Sequence, residues 1–274
     1  MPDSPYPYRL GLIGAGNMAE AIARGVMSSG LIPAAGLIAS DPVGARRGLF
    51  EGQLGVKCLD DNRHAAESAE TLLLAVKPQH MREVLGGLAE AVTERQVIVS
   101  IMAGVSTATL EGLFPRIAAR VVRVMPNLPM AVGAGTAAVA PGRNAKPADV
   151  EWTLSIFRSG GEAVAVEERF MDAVTAISGS GPAYFYYWTE AMIAAGVELG
   201  LTAEQAAALS KSTALGAAKM MLQSPEPPEE LRRRVTSPGG TTLAAITTMN
   251  AGHVRDEIIR AVHAAARRSA ELGQ

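Results

Sequence analysis

Apolar residues along this chain follow two rhythms that change over near residue 166. Before it, short runs rich in apolar residues alternate with stretches in which apolar residues recur every three or four positions. The runs are 9–13, 37–40, 71–76, 97–101 and 120–125. Each reads as a short strand, and the continuous apolarity of 71–76 fits a parallel strand covered on both faces. Between the first two runs, Ala19, Ile22, Ala23, Val26 and Met27 keep helical spacing until Gly30, and Met81, Val84, Leu85 and Leu88 do the same later. Two shorter β-like runs, 136–140 and 163–166, flank a helix over about 149–158. Alternating strands and helices predict a doubly wound α/β domain over residues 1–166.

After Glu167 only helical spacing continues. One helix is expected over 167–177, broken by Ser178-Gly179-Ser180-Gly181, and another from Pro182 to near Gly200 that carries Tyr184, Phe185, Tyr186, Tyr187 and Trp188. Thr202-Ala203-Glu204-Gln205 has the form of a capping box for a long Ala-rich helix to about Gln223. A short helix over 229–234 and two more, from Thr242 and from about Val254, complete an all-helical domain, 167–274. Broad apolar faces with little charge suggest that this domain is buried against a second subunit.

The first strand runs into Gly14-Ala15-Gly16-Asn17-Met18-Ala19 and then a helix. Strand, glycine turn and helix in that order make the dinucleotide fingerprint of a Rossmann-type domain. Gly14 makes the tight turn, Gly16 lets a pyrophosphate approach, and Ala19 keeps helix and strand close. A Rossmann fold reads the adenosine ribose after the second strand, where this chain has Ser40 and Asp41, with Arg46 and Arg47 one helical turn on. An acid there suits a 2′-hydroxyl, whereas Ser and Arg suit a 2′-phosphate.

The late stretch Val235-Thr236-Ser237-Pro238-Gly239-Gly240-Thr241-Thr242 precedes an apolar run. Pro238 fixes one φ, the glycines allow φ > 0, and Thr241 or Thr242 is expected to cap the helix that follows. Free N–H groups with hydroxyls beside them form a receptor for a carboxylate or phosphate, although an ordinary turn uses the same residue types.

Composition narrows the classes. The 274 residues are 48% hydrophobic and 19% charged, with 25 Lys and Arg against 27 Asp and Glu. A net charge of −2 argues against nucleic acid as the main partner. A lone cysteine, Cys58, excludes an internal disulfide framework, and the four histidines show no zinc spacing. The Pro-rich lead-in 1–8 has no signal-peptide core, and no apolar run reaches membrane-spanning length, so the cytoplasm is the expected compartment.

Gly14-Ala15-Gly16-Asn17-Met18-Ala19, Ala75-Val76-Lys77-Pro78-Gln79, Met125-Pro126-Asn127, Ser178-Gly179-Ser180-Gly181-Pro182-Ala183-Tyr184 and Thr236-Ser237-Pro238-Gly239-Gly240-Thr241-Thr242 together resemble the pyrroline-5-carboxylate reductase family. The resemblance runs from about residue 10 to 272. It implies reduction of the cyclic imine 1-pyrroline-5-carboxylate to L-proline with NADPH or NADH. It further implies that Ile13, Gly14, Ala15, Gly16, Asn17 and Met18 follow the cofactor pyrophosphate, with Ser40 near the ribose and Asn62 beside the adenosine half. Ala75, Val76, Lys77 and Pro78, with Ile101, Met102 and Ala103, would line the nicotinamide half. Ser237, Gly239, Gly240, Thr241 and Thr242 would hold the substrate, Thr242 acting at the ring nitrogen. Family members form homodimers through the helical domain, and some assemble rings of dimers. Many bacterial members carry a basic or Asn-Arg pair where this chain has Ser40-Asp41-Pro42; Ser40 with Arg46 or Arg47 tilts the expectation slightly toward NADPH.

Such a reaction needs few ionisable side chains, since a protonated imine is already electrophilic and requires mainly alignment and an anchored carboxylate. A β-hydroxyacid dehydrogenase or imine reductase is one rival reading; the hydroxyacid class would use a helix lysine, for which Lys211 and Lys219 are candidates. A non-catalytic dinucleotide sensor is another, and it has no need of the 236–242 loop.

Overall fold

The structure is a computed structural model that describes residues 5–273. The first half of the Pro-rich lead-in lies outside the described residues. Among those described, eight strands form one sheet in the order β3-β2-β1-β4-β5-β6-β7-β8. They are β1 (Tyr8–Ile13), β2 (Leu37–Ser40), β3 (Lys57–Leu59), β4 (Ala69–Leu74), β5 (Val97–Ser100), β6 (Arg120–Pro126), β7 (Gly135–Pro141) and β8 (Gly161–Ala165). All neighbours are parallel except β6 and β7.

The apolar residues of these runs divide between two cores. Alternate residues of a strand face opposite sides, so Leu10, Leu12, Leu73 and Val99 pack with Ile22, Val26, Phe50 and Phe157. Ile13, Leu72, Leu74 and Ile98 join Leu85, Leu88 and Phe114 in the second cluster. The Asn17–Ser28 helix buries Ala19, Ile22, Ala23 and Val26 as its spacing predicts, and Gly30 takes φ +73 just beyond it.

Several boundaries differ from the sequence reading. β4 begins and ends two residues earlier than 71–76, because Ala75 and Val76 leave the strand for the loop that follows. β3 was not expected: it has three residues, of which only Cys58 is buried, too few to establish a period. The expected helix over 167–177 is instead a 3₁₀ turn (Glu168–Phe170), one α turn (Met171–Val174) and a π turn (Thr175–Gly179).

Two compact units divide the chain. One extends to Gly179 and resumes at Ala265; the other is Ser180–Ala264. The sequence reading put its boundary at 166/167. The turns after β8 stay with the sheet because Met171 packs on Ala138 and Ala140, and because Asp172 accepts a hydrogen bond from Ser269 Oγ at 2.7 Å. Asn127 closes the same region: its Nδ2 donates to Ser178 O at 3.0 Å, and its Oδ1 accepts from Thr136 N at 2.8 Å.

The second unit contains the helices Gly181–Glu198, Ala203–Gln223, Pro228–Arg234 and Thr241–Ala251 and the start of Val254–Leu272, with no strand among its described residues. Both bonds of the Thr202–Gln205 capping box form, at 3.0 and 3.2 Å. Among the described residues no helix is long and apolar enough to cross a membrane.

Candidate active site

In an open parallel sheet, ligands gather where the strand order reverses, outside the carboxyl ends. Here that point lies between β1 and β4. Backbone bonds tie the loops together: Gly14 N donates to Ser40 O at 2.8 Å, Ala75 N to Ile13 O at 2.8 Å, and Ile101 N to Leu74 O at 3.2 Å. The turn 13–18, the segment 75–78 and the segment 101–103 therefore share one edge of the sheet.

Each glycine of the turn has its own reason. Gly14 sits at φ +95, and a Cβ there would stand 2.9 Å from Ala75 O. Gly16 caps the Asn17–Ser28 helix at φ −70 without a side-chain hydrogen bond, and a Cβ on it would meet nothing within 4 Å. An open approach to backbone N–H groups at a helix start is what a pyrophosphate requires, so the residues present fit a dinucleotide. Ile13, Ala15 and Met102 are buried; Gly16, Met18, Ala75, Val76 and Ile101 are half-buried, and Asn17, Lys77, Pro78 and Ala103 are exposed.

The ribose end departs from expectation. Ser40 is fully buried, and its hydroxyl has no hydrogen-bond partner among the described residues. β2 is buried at all four positions, which carries Ser40 into the core. Asp41 Oδ2 accepts from Ala15 N at 2.8 Å, and Oδ1 from Val43 N at 2.9 Å. Arg46 Nε donates to Ala15 O at 2.6 Å and its Nη2 to Glu20 Oε2 at 2.8 Å. Burial pushes the Glu20 carboxyl up, but hydrogen bonds from Arg46 and Arg24 outweigh it and leave it below the usual carboxylate range. Arg47 Nη1 donates to the carbonyls of Asp41 and Pro42, both at 2.9 Å. Asn62 opens the Asn62–Glu67 helix, capped by Asp61, on a cavity of about 380 Å³ shared with Asp60, Glu83, Val84 and Leu88.

In the helical unit, Ser237-Pro238-Gly239-Gly240 forms a β-turn closed by Gly240 N to Ser237 O at 3.0 Å. Pro at the second position and Gly239 at φ +69 in the third match a type II turn. The expected threonine cap is not there. Gly240 is the cap residue of the Thr241–Ala251 helix, and Thr241 and Thr242 are already in its first turn. Gly240 has φ −81, so the left-handed residue of the loop is Gly239, while a Cβ on Gly240 would overlap Ser237 Oγ. No side chain caps this helix, and no acidic residue lies in its first turn. Its leading N–H groups stay available to an anion, with Ser237 and Thr241 exposed and Thr242 half-buried. Lys211 and Lys219 are exposed on the Ala203–Gln223 helix.

Sequence reasoning missed the roles of Asp41 and Arg46 on the glycine turn and of Asn127 at Ser178. Asp41 and Asn127 directly follow β2 and β6, a position that signals importance without naming a partner. Among the described residues no cluster of His, Cys, Asp or Glu could hold a metal ion.

Known proteins agree with this layout. The family model described as pyrroline-5-carboxylate reductase dimerisation matches residues 168–272, and one described as NADP oxidoreductase, coenzyme F420-dependent, matches residues 9–104. A pyrroline-5-carboxylate reductase of Pseudomonas aeruginosa is 42% identical over 269 residues, covering 97% of both chains. The structure of a pyrroline-5-carboxylate reductase from Coxiella burnetii superposes with a TM-score of 0.92 at 35% identity, over 98% of this chain and 99% of that one. That of Plasmodium falciparum pyrroline carboxylate reductase with NADP bound gives 0.86 at 29% identity, over 97% and 98%. A relative this similar over nearly the whole length, with both the glycine turn and the late loop in place, leaves one conclusion: the chain belongs to the pyrroline-5-carboxylate reductase family, NAD(P)H-dependent oxidoreductases that act on a cyclic imine.

Proposed function

We propose that the family's reaction, reduction of 1-pyrroline-5-carboxylate to L-proline, is divided in this chain between the glycine turn, which binds the dinucleotide, and the 237–242 loop, which binds the substrate carboxylate. The bound nicotinamide supplies the hydride. Gly14 and Gly16 shape the turn, and the N–H groups of Asn17 and Met18 receive the pyrophosphate. Ala75 to Pro78 and Ile101 to Ala103 border the nicotinamide half, and Asn62 the adenosine half.

In the second unit, the N–H groups of Thr241 and Thr242 and the Ser237 hydroxyl hold the carboxylate, and the Thr242 hydroxyl hydrogen-bonds the ring nitrogen. Water delivers the proton, since the loop has no acid of its own. The observation that carries this reading is the uncapped start of the Thr241–Ala251 helix behind a Pro-Gly turn. Such a start, with hydroxyls beside it, leaves N–H groups for a carboxylate.

NADPH is the preferred cofactor in this reading. Asp41 is turned to the glycine turn, and Arg47, half-buried with Nη1 on two carbonyls, keeps its remaining nitrogens for a 2′-phosphate. The enzyme is cytoplasmic and a homodimer through its helical domain, and light scattering should give the mass of a dimer or a whole multiple of it.

The test is NADPH oxidation by the purified protein with and without 1-pyrroline-5-carboxylate. Oxidation should depend on the imine and yield proline. Oxidation supported instead by β-hydroxyacid chemistry, or dinucleotide binding without turnover, would overturn the proposal in favour of a rival.

A further inference from the structure

The turn that faces the pyrophosphate contains one residue, Ala15, between two glycines, and this residue is held from both sides. Its N–H donates to Asp41 Oδ2 and its carbonyl accepts from Arg46 Nε, at 2.8 and 2.6 Å. Neither partner is local: they lie 26 and 31 residues further along the chain. Each is fixed in turn. The second carboxylate oxygen of Asp41 takes the N–H of Val43 at 2.9 Å, and its own N–H donates to Leu59 O at 2.9 Å. The second arm of Arg46 rests on Glu20, which Arg24 also holds, at 3.0 Å. Glu20 N in turn donates to Gly16 O at 2.9 Å, so the ring of bonds closes on the turn where it began.

A glycine has no side chain to fix its backbone, and two around one residue leave the intervening peptide planes free to rock. The pyrophosphate site consists of those planes and the N–H groups just beyond them. Two charge-assisted hydrogen bonds on Ala15, one to each of its peptide groups, remove that freedom before any ligand arrives. The ring also sets the local charge, since Arg24, Arg46 and Arg47 outnumber Glu20 and Asp41, a balance that suits a diphosphate.

Asp41 stands where a Rossmann domain usually places its ribose-reading acid. Its carboxylate here faces the turn instead, with an N–H on each oxygen. Arg46 is likewise committed to Ala15 and Glu20.

We propose that Asp41 and Arg46 are positioning residues that clamp Ala15 and so set the pyrophosphate turn, acting alike on NADPH and NADH, and that neither reads the ribose 2′ position. The inference rests on dinucleotide binding at this turn. It is independent of the role given to Arg47, which provides an internal control.

The test uses the full-length protein: dissociation constants for NADPH and NADH by fluorescence titration, KM and kcat for each, and melting temperature, for Asp41→Ala, Arg46→Ala, their double variant and Arg47→Ala. Losing a charge-assisted bond to the turn should weaken both cofactors by about tenfold in Asp41→Ala and by several-fold in Arg46→Ala. The NADPH-to-NADH ratio should stay within about threefold of wild type, and kcat should change much less than KM. Because both side chains hold the same residue, the double variant should be weakened by well under the product of the single effects. Arg47→Ala should weaken NADPH alone; if it does not, the 2′-phosphate assignment fails while the clamp stands.

Two results would overturn the clamp: a ratio shifted by about tenfold or more in Asp41→Ala, which would make Asp41 a ribose reader, or both dissociation constants unchanged. A purely structural role would lower the melting temperature and the active fraction and leave KM of the folded enzyme where it was. Should Asp41→Ala not fold, Asp41→Asn retains one acceptor and should weaken both cofactors equally, by about threefold; a one-sided change there overturns the clamp as well.

Discussion

β2 and β5 are buried at every position, whereas the 18-residue helix Gly181–Glu198 has a single buried residue, Gly181. The two regions are comparably apolar in sequence, yet they end in different surroundings. In the first unit, layers of side chains from strands and helices satisfy one another within one chain. In the second, Tyr187 is 76% exposed and Leu222 87%, and Phe185, Leu199 and Leu209 are exposed as well. Small residues let its helices approach: a Cβ on Gly196 would lie 3.0 Å from that of Ala206. Close backbone packing of that kind leaves the large apolar side chains pointing outward. Exposed apolar area on this scale belongs to a surface that another copy covers, in keeping with the dimerisation model that matches residues 168–272. One unit has its core, and the other shares one.

The largest expected effect lies in the shared core. Tyr187→Glu would place an unpaired charge in a buried interface, which costs several kcal/mol, so the enzyme should fall to monomers and lose more than about 100-fold in activity. Light scattering and assays over a range of protein concentration check this; a stable, fully active dimer would break the comparison. In the self-contained core, Ile22→Ala should cost about 2–5 kcal/mol by denaturant unfolding and leave the oligomer's mass unchanged. Dissociation of that variant would show that the two cores are not separable.

Smaller effects belong to the late loop. Thr242→Ala should lower kcat/KM for the imine by about one to two orders of magnitude, as loss of hydrogen bonds to a charged ligand predicts. Because Gly240 rather than a threonine is the cap, the melting temperature should hardly move, and a clear drop would restore the capping role. Gly239→Ala, at a left-handed φ, should cost about 1 kcal/mol of stability, more than Gly240→Ala, whose clash Ser237 can relieve by turning its hydroxyl away. Equal losses would place the strain elsewhere in the loop.

Much of this was legible in one dimension. The run at 37–40 is β2 residue for residue, and the Thr202–Gln205 box forms both of its bonds. Gly14 makes the tight turn expected of the first fingerprint glycine, at φ +95. These features depend on residues a few positions apart, and local geometry decides them. Where local chemistry allows two outcomes, neighbouring residues do not choose between them. Thr241 and Thr242 were credible caps, but the turn ends one residue sooner and gives that place to Gly240.

Residue order alone was enough for the alternation of the longer strands and helices, the glycine turn, the Thr202 cap and membership of the family, because periodicity and short motifs are properties of neighbours. Only the tertiary structure decided where Asp41 points, since the sheet order sets the end of β2 beside the end of β1 and brings Ala15 within reach of a carboxylate 26 residues away. It likewise joined Asn127 to Ser178 across 51 residues and returned the last helix to the sheet unit through Ser269 and Asp172. Hydrogen-bond partners at such distances are chosen by topology, and a local pattern has no means to state them.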